Sequence, residues 1–519
     1  MTMKKILMAA AAYCCMIMMV TMTSCTSDIS DYPVTPPEPE PTAEYTIIYY
    51  GHGGENLDYI FLTMINELYK ASPDAFKRVN VVMQYKFSKT ENMLEQKHWS
   101  EEDAEWYGCK TYRWLVDPDK DVFKQLSDTD NLYDAGNADC TCPDSLTNFI
   151  NWAAKAYPAK KYMLIMNSHG GGYRPDDDLP EAASVNTRGV IYDDGYSNKH
   201  FSAKSIHRAI AAANVRFETI YFLACLMNTL EYQFELQNLC DYVIASTYSM
   251  PATGGVLNML PELLSQPSVD IEQALAAYCK ADVESWDKAY AAIGATEEFP
   301  LYTDMTVTRT ANIAHLGEVL REFTNRLCNT YTNGTDAQRQ AIDSCTARTI
   351  KVQINRPNYD AVKYVRSLIN ALPEVYGNDF YNQMKEAFNN CIVAQNFSKY
   401  LTNHNYMVDY SVLLGAEGAY STTFWEIGEN GLPTIPNAEN VFTDDGEVYA
   451  FNLIPTDDPQ YYRREIDGDP VPWGSTLADT YEQLAFDRAV GWSRWLRLNR
   501  QWPNLFCPID LYFELPMPE

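Results

Sequence analysis

The stretch MLIMNSHGGGY, Met163–Tyr173, passes from an aliphatic run to three consecutive glycines within a few positions, with a histidine at the break. An apolar run of this length bounded by a glycine turn reads as a buried strand surfacing at its carboxyl end. TIYFLAC, Thr219–Cys225, has the same form and ends on a cysteine. Further runs of strand length are YTIIYY (Tyr45–Tyr50, closed by Gly51-His52-Gly53-Gly54), VNVVMQY (Val79–Tyr85), TYRWLV (Thr111–Val116), YVIAS (Tyr242–Ser246) and LYTDMTVTRT (Leu301–Thr310). Between them lie helical patterns. Leu57, Ile60, Phe61, Met64, Ile65 and Leu68 recur at spacings of three and four, Pro143 opens a second helix, and SAKSIHRAIAAA forms a third. Continuous apolar strands alternating with helices predict an α/β fold, a mostly parallel sheet flanked by helices on both faces. In such sheets function collects at the carboxyl ends of the strands.

Both candidate reactive groups sit at that edge. Cys225 ends one strand, and a helix is expected to begin near Leu226, which would set the thiol at a helix N-terminus where thiolate is favoured. His169 ends what would be the neighbouring strand, within reach to take the thiol proton and later return it to a leaving amine. Gly170, Gly171 and Gly172 allow close backbone approach to a substrate and offer N–H groups to an oxyanion. Taken singly, such a cysteine is more often a small core hydrophobe and such a histidine a turn residue. Their joint placement favours chemistry.

Four blocks carry a more specific signal. SLTNFINWAAKAYPAKKYMLIMNSHGGGY (Ser145–Tyr173), TIYFLACLMNTLEYQFEL (Thr219–Leu236), YVIASTYSMPATGG (Tyr242–Gly255) and TIIYYGHGGENLDY (Thr46–Tyr59) occur in the order found in the clostripain family of cysteine peptidases, which the chain resembles from Tyr45 to about Gly255. The resemblance implies a caspase-like fold and peptide-bond hydrolysis through a thioester acyl-enzyme. It implies Cys225 as nucleophile, His169 as general acid/base, and the backbone N–H groups of Gly170 and Cys225 as oxyanion hole. Leu223, Ser246, Thr247 and Tyr248 are the implied substrate pocket. The family commonly has an aspartate two residues before the cysteine, where it holds a basic P1 side chain; this chain has Leu223, and no acid occurs from Tyr242 to Pro261. A P1 preference that is not strictly basic is therefore expected. The alternative is a catalytically silent surface lipoprotein of the same fold that binds peptide or glycan.

No cofactor is required by this chemistry. Calcium, used by some family members, has only weak candidate ligands in Asp193 and Asp194, close to Asp176–Asp178, and none with EF-hand spacing. Arg174 and Arg188 in the same loop are candidate nicking sites, and His52 in YYGHGGEN imitates the histidine block.

The rest of the chain frames this unit. Lys4 and Lys5 precede the apolar run ILMAAAAYCCMIMMV, too short for a comfortable membrane helix, which reads as an export signal. Thr23 and Ser24 before Cys25 resemble a bacterial lipobox, with Met22 where leucine is usual, which implies lipidation of Cys25; plain secretion is the alternative. The expected organisation is a signal over 1–25, a proline- and acid-rich linker over 26–44, a catalytic domain over 45–330 and a C-terminal α+β accessory domain over 331–519. In the last of these, TTFWEI and VYAFNLI read as strands and DTYEQLAFDRAVGWSRWLRL as a helix. A net charge of −29 argues against nucleic acid as a partner. The expected state is a monomer, extracytoplasmic and lipid-anchored, acting on protein or peptide.

Overall fold

The computed structural model describes residues 43–173, 189–196, 199–251, 254–292, 303–348, 358–403 and 482–499, with a few positions and short strands elsewhere. The export segment with Cys25, nearly all of the 26–44 linker, Arg174, Asp176–Asp178 and Arg188 lie outside the described residues.

The strands that position the site are β1 (Ala43–His52), β2 (Val79–Lys86), β3 (Thr111–Leu115), β4 (Tyr133–Asp134), β5 (Ala159–Asn167), β6 (Val190–Asp193), β7 (Lys199–Phe201), β8 (Phe217–Leu223), β9 (Cys240–Ala245) and β10 (Asp304–Arg309). Eight of them and the edge strand Ile392–Phe397 form a nine-stranded sheet, in the order edge strand, β10, β9, β8, β5, β1, β2, β3, β4. The five central strands, β9 to β2, run parallel. The outer strands β10, β3, β4 and Ile392–Phe397 pair antiparallel. LYTDMTVTRT therefore joins the sheet as expected, but in the opposite direction from a repeated βα unit. Strand-length runs look the same in either direction, so the sequence did not carry that sign.

Side chains alternate between two cores. Ile48, Tyr50, Leu164, Met166, Ile220 and Phe222 face one, with helices Pro143–Ala156 and Ala203–Ala212. Ile47, Tyr49, Met163, Ile165 and Tyr221 face the other, covered by helices Asp58–Ile65 and Ile271–Ala292. Residues of both parities are buried, which is why the strands read as unbroken apolar runs. Each such large side chain contributes about 1.5–3 kcal/mol of burial free energy.

The division expected at 330 does not coincide with a break in packing. Ile392–Phe397 completes the sheet, and Ile342, Leu368, Phe388 and Trp495 belong to the first core. The expected helix over 479–498 is two short helices, Ala485–Val490 and Ser493–Asn499, separated at Gly491, with Asp487 accepting from the Ser493 N–H and hydroxyl across the break. Of TTFWEI and VYAFNLI, only Glu426–Ile427 and Val448–Tyr449 are described, each in a two-stranded antiparallel ladder. No helix among the described residues is long and apolar enough to cross a membrane.

Candidate active site

Strand register brings the two candidate residues, His169 and Cys225, to one edge of the sheet. β5 and β8 are parallel neighbours whose last aligned pair is Asn167 with Leu223, and the Asn167 side-chain amide donates to the Leu223 carbonyl at 3.0 Å. His169 and Cys225 each lie two residues beyond that pair and share its parity. The contact between the two loops is made by Gly170. A Cβ added there would lie 2.2 Å from the Cys225 carbonyl oxygen and 2.7 Å from its nitrogen, so only glycine fits. His169 and Cys225 are both partly exposed, unlike the strands beneath them.

The chain after Cys225 differs from expectation. Leu226 has φ +65° in a turn at 225–226; the helix starts only at Leu230, with Thr229 capping it. Cys225 is thus not at a helix N-terminus, and the dipole of the helix from Leu230 does not act on its thiol. Instead the Leu226 and Asn228 N–H groups donate to the Tyr248 and Ser246 carbonyls at 3.0 Å each. This pairing lays the segment after β9 alongside the cysteine, where the Met250 N–H donates to Sγ at 3.2 Å.

The implied pocket residues are placed less directly than the pair. Leu223, Ser246, Thr247 and Tyr248 are all buried. Ser246 Oγ, Thr247 N–H and Tyr248 N–H converge on one oxygen of Asp304, at 2.9, 2.7 and 3.1 Å. The Ser246 hydroxyl and the Thr247 and Tyr248 N–H groups are thus turned to Asp304, which holds this segment from behind. The one acid in the strand-like run LYTDMTVTRT is the only sequence signal for Asp304. A second buried acid, Asp282, lies beneath Gly255, accepts from the Val256 N–H at 2.8 Å, and is pushed up to about 7 by burial.

His169 Nε2 lies 2.8 Å from Asn56 Oδ1, on the turn that follows β1. In that turn Gly54 has φ +60°, and a Cβ on it would come within 2.7 Å of the His169 ring, so the backbone packs directly against the imidazole.

His52 is fully buried and does not approach substrate space. Its Nε2 lies 3.3 Å from Asp193 and 3.6 Å from Asp194, and with these residues it offers donor atoms all within 4.8 Å of one another. The cluster already carries its own positive charge. Lys86, fully buried, sits 2.7 Å from Asp193 and already supplies the positive charge. Both Asp193 oxygens also accept backbone N–H groups, from Gly195 and Cys140. Asp194 Oδ2 accepts from the Lys89 N–H and the Asn92 amide. Finally, His52 Nδ1 accepts the Gly54 N–H at 2.7 Å, so the ring proton resides on Nε2, the atom a metal would need unprotonated. The cluster is a charge network binding the ends of β1 and β2 to β6. β6 in turn is tied to the histidine loop, by the Gly170–Val190 bridge and the Tyr192 N–H on Ser168 Oγ. Cys140 and Cys142 are both buried.

A family model described as the clostripain family matches residues 51–450. The chain belongs to the clostripain family. Clostripain from Hathewaya histolytica is 28% identical over 214 residues, covering 39% of this chain and 38% of that protein, so the match spans under half of that relative's length. The structure of a secreted C11 cysteine protease from Bacteroides thetaiotaomicron, "iotapain", superimposes with a TM-score of 0.51 at 14% identity, over 87% of this chain and all of that one. The clostripain-family fold is thus shared well beyond the level at which sequences align.

Proposed function

We propose that the protein is a cysteine endopeptidase with Cys225 as nucleophile and His169 as its proton acceptor and donor. The observation carrying this reading is the paired register of β5 and β8, with the Gly170 backbone against that of Cys225. In the reaction the imidazole takes the Sγ proton and sulfur attacks the scissile carbonyl carbon. As the C–S bond forms, the carbonyl oxygen becomes an oxyanion facing the N–H groups of Gly170 and Cys225. Collapse breaks the C–N bond, and the imidazolium proton leaves with the amine. Water then attacks the thioester, gives a proton to His169, and releases the acid with the thiol restored.

Leu223 sets the expected specificity. It is buried in the same apolar core as Tyr221, Ile244 and Leu257, and the two acids behind the cleft, Asp304 and Asp282, are buried and already engaged. A guanidinium entering without a carboxylate partner loses its hydration uncompensated. Peptides with Arg or Lys at P1 are expected to be cleaved roughly tenfold or more slowly than those with the best uncharged residue. A peptide-library digest with wild type and Cys225→Ala reads this out. Fast Arg cleavage, lost in the variant, overturns it.

The reading includes an extracytoplasmic enzyme held at a membrane by lipid on Cys25, acting as a monomer on protein or peptide. The supporting features are the Lys4–Val20 export pattern and the Thr23-Ser24-Cys25 triplet. Mass spectrometry of the mature N-terminus should find Cys25 first and acylated. A mature chain starting elsewhere without lipid contradicts this.

A further inference from the structure

We propose that Asn56 is the positioning residue for His169, a third member of the site that fixes the tautomer and ring direction of the imidazole. This rests on the Cys225–His169 reading above and deepens it.

The Asn56 Oδ1 atom can only accept, so at 2.8 Å it draws the Nε2–H proton of His169. With that nitrogen committed, Nδ1 is left as the lone pair that receives the Sγ proton. Through acylation and deacylation the Nε2 proton stays where it is, hydrogen-bonded to Asn56. The Nδ1 proton alone moves, from sulfur to the leaving amine and then from water back toward sulfur. A neutral amide supports the imidazolium less than a carboxylate would, so the ring remains able to give its proton up.

Asn56 is exposed, yet its turn is held from several directions. The Gly54 N–H donates to His52 Nδ1 at 2.7 Å, the Glu55 N–H to Ser88 Oγ at 2.9 Å, and the Leu57 N–H to the Gly53 carbonyl at 2.9 Å. Gly53 packs on the buried Asp58 carboxyl, which also accepts the Ser88 N–H at 3.2 Å. The turn therefore presses Gly54 against the imidazole and holds Oδ1 to its far nitrogen, setting two of the ring's contacts at once. The buried His52 network acts as the foundation of this turn, which accounts for a histidine motif after β1 that never reaches substrate.

The test uses the full chain and two readouts, the pH profile of Cys225 alkylation by iodoacetamide and peptide hydrolysis. Asn56→Ala should lower kcat roughly tenfold to a hundredfold with KM little changed, and slow alkylation at neutral pH, with Tm within about 2 °C of wild type. Asn56→Asp restores an acceptor and should recover most of the alkylation rate. Its added charge favours imidazolium, so the alkaline limb of the profile should move up by about one pH unit. An Asn56→Ala variant within twofold of wild type in both readouts overturns the proposal. So does an equal loss in Asn56→Ala and Asn56→Asp with unshifted profiles, the signature of a structural role. If His169→Ala itself leaves alkylation and hydrolysis unchanged, the peptidase reading fails; if His169→Ala is crippled and Asn56→Ala is not, only the positioning role fails.

Discussion

Cys225→Ala and His169→Ala are each expected to lower kcat/KM for peptide hydrolysis by roughly 10⁴-fold or more, with little change in thermal stability. The size follows from shared work. Without sulfur no acyl-enzyme forms, and without imidazole the thiol is not deprotonated and the leaving amine is not protonated. Because each group acts only through the other, the double variant should be scarcely worse than either single one. The stability expectation follows from their positions. Both side chains are partly exposed at strand ends, outside the two cores, and truncating them opens no internal cavity. Michaelis parameters on the best library peptide, with Tm measured alongside, decide the matter. Either variant retaining more than about a tenth of wild-type activity contradicts the assignment.

The second large effect is on stability. Lys86→Met should destabilise the fold by about 3–5 kcal/mol, because it leaves the Asp193 carboxylate buried without its ammonium. Restoring neutrality with Lys86→Met plus Asp193→Asn should recover much of the loss, since a removed pair leaves no orphan charge. The pair also sets a pH dependence. Burial alone would raise the Asp193 carboxyl, but His52 and Lys86 outweigh it and hold it well below the usual carboxylate range. A carboxyl depressed on folding gives stability that is fully present above its unfolded value of about 3.9 and is lost as pH falls below that toward the folded value. Urea midpoints should therefore drop on the acid side below about pH 4 in wild type, and less steeply in Asp193→Asn. A Lys86→Met protein within about 1 kcal/mol of wild type at pH 7 contradicts the role given to the network.

Much of the architecture was legible because burial on both faces writes itself as unbroken apolar runs. β1, β2, β5, β8 and β9 were each readable, and so was the meeting of MLIMNSHGGGY with TIYFLAC at a common edge. Strand direction was not, since nothing in TYRWLV or LYTDMTVTRT encodes parallel or antiparallel pairing. The helix expected at Leu226 was displaced to Leu230 because the intervening residues pair with Ser246–Tyr248, a tertiary contact that overrides the local pattern. Asn56 lay inside a recognised block, yet its contact with His169 spans 113 residues of sequence, and no local spacing announces it. Lys86 and Asp304 were hidden for a related reason. A single charge at the end or start of an apolar strand reads as a solvated boundary, and only the fold shows that each is buried with partners.

The most direct test of the central claim is the rate of Cys225 alkylation by iodoacetamide between pH 5 and 9, in wild type and in His169→Ala. A thiolate held by the imidazole should react readily at about pH 6–7, well below the unperturbed thiol value of about 8.5, and His169→Ala should return the profile to that ordinary value. A wild-type profile already centred near 8.5, or one that His169→Ala leaves in place, would mean that sulfur and ring do not share a proton.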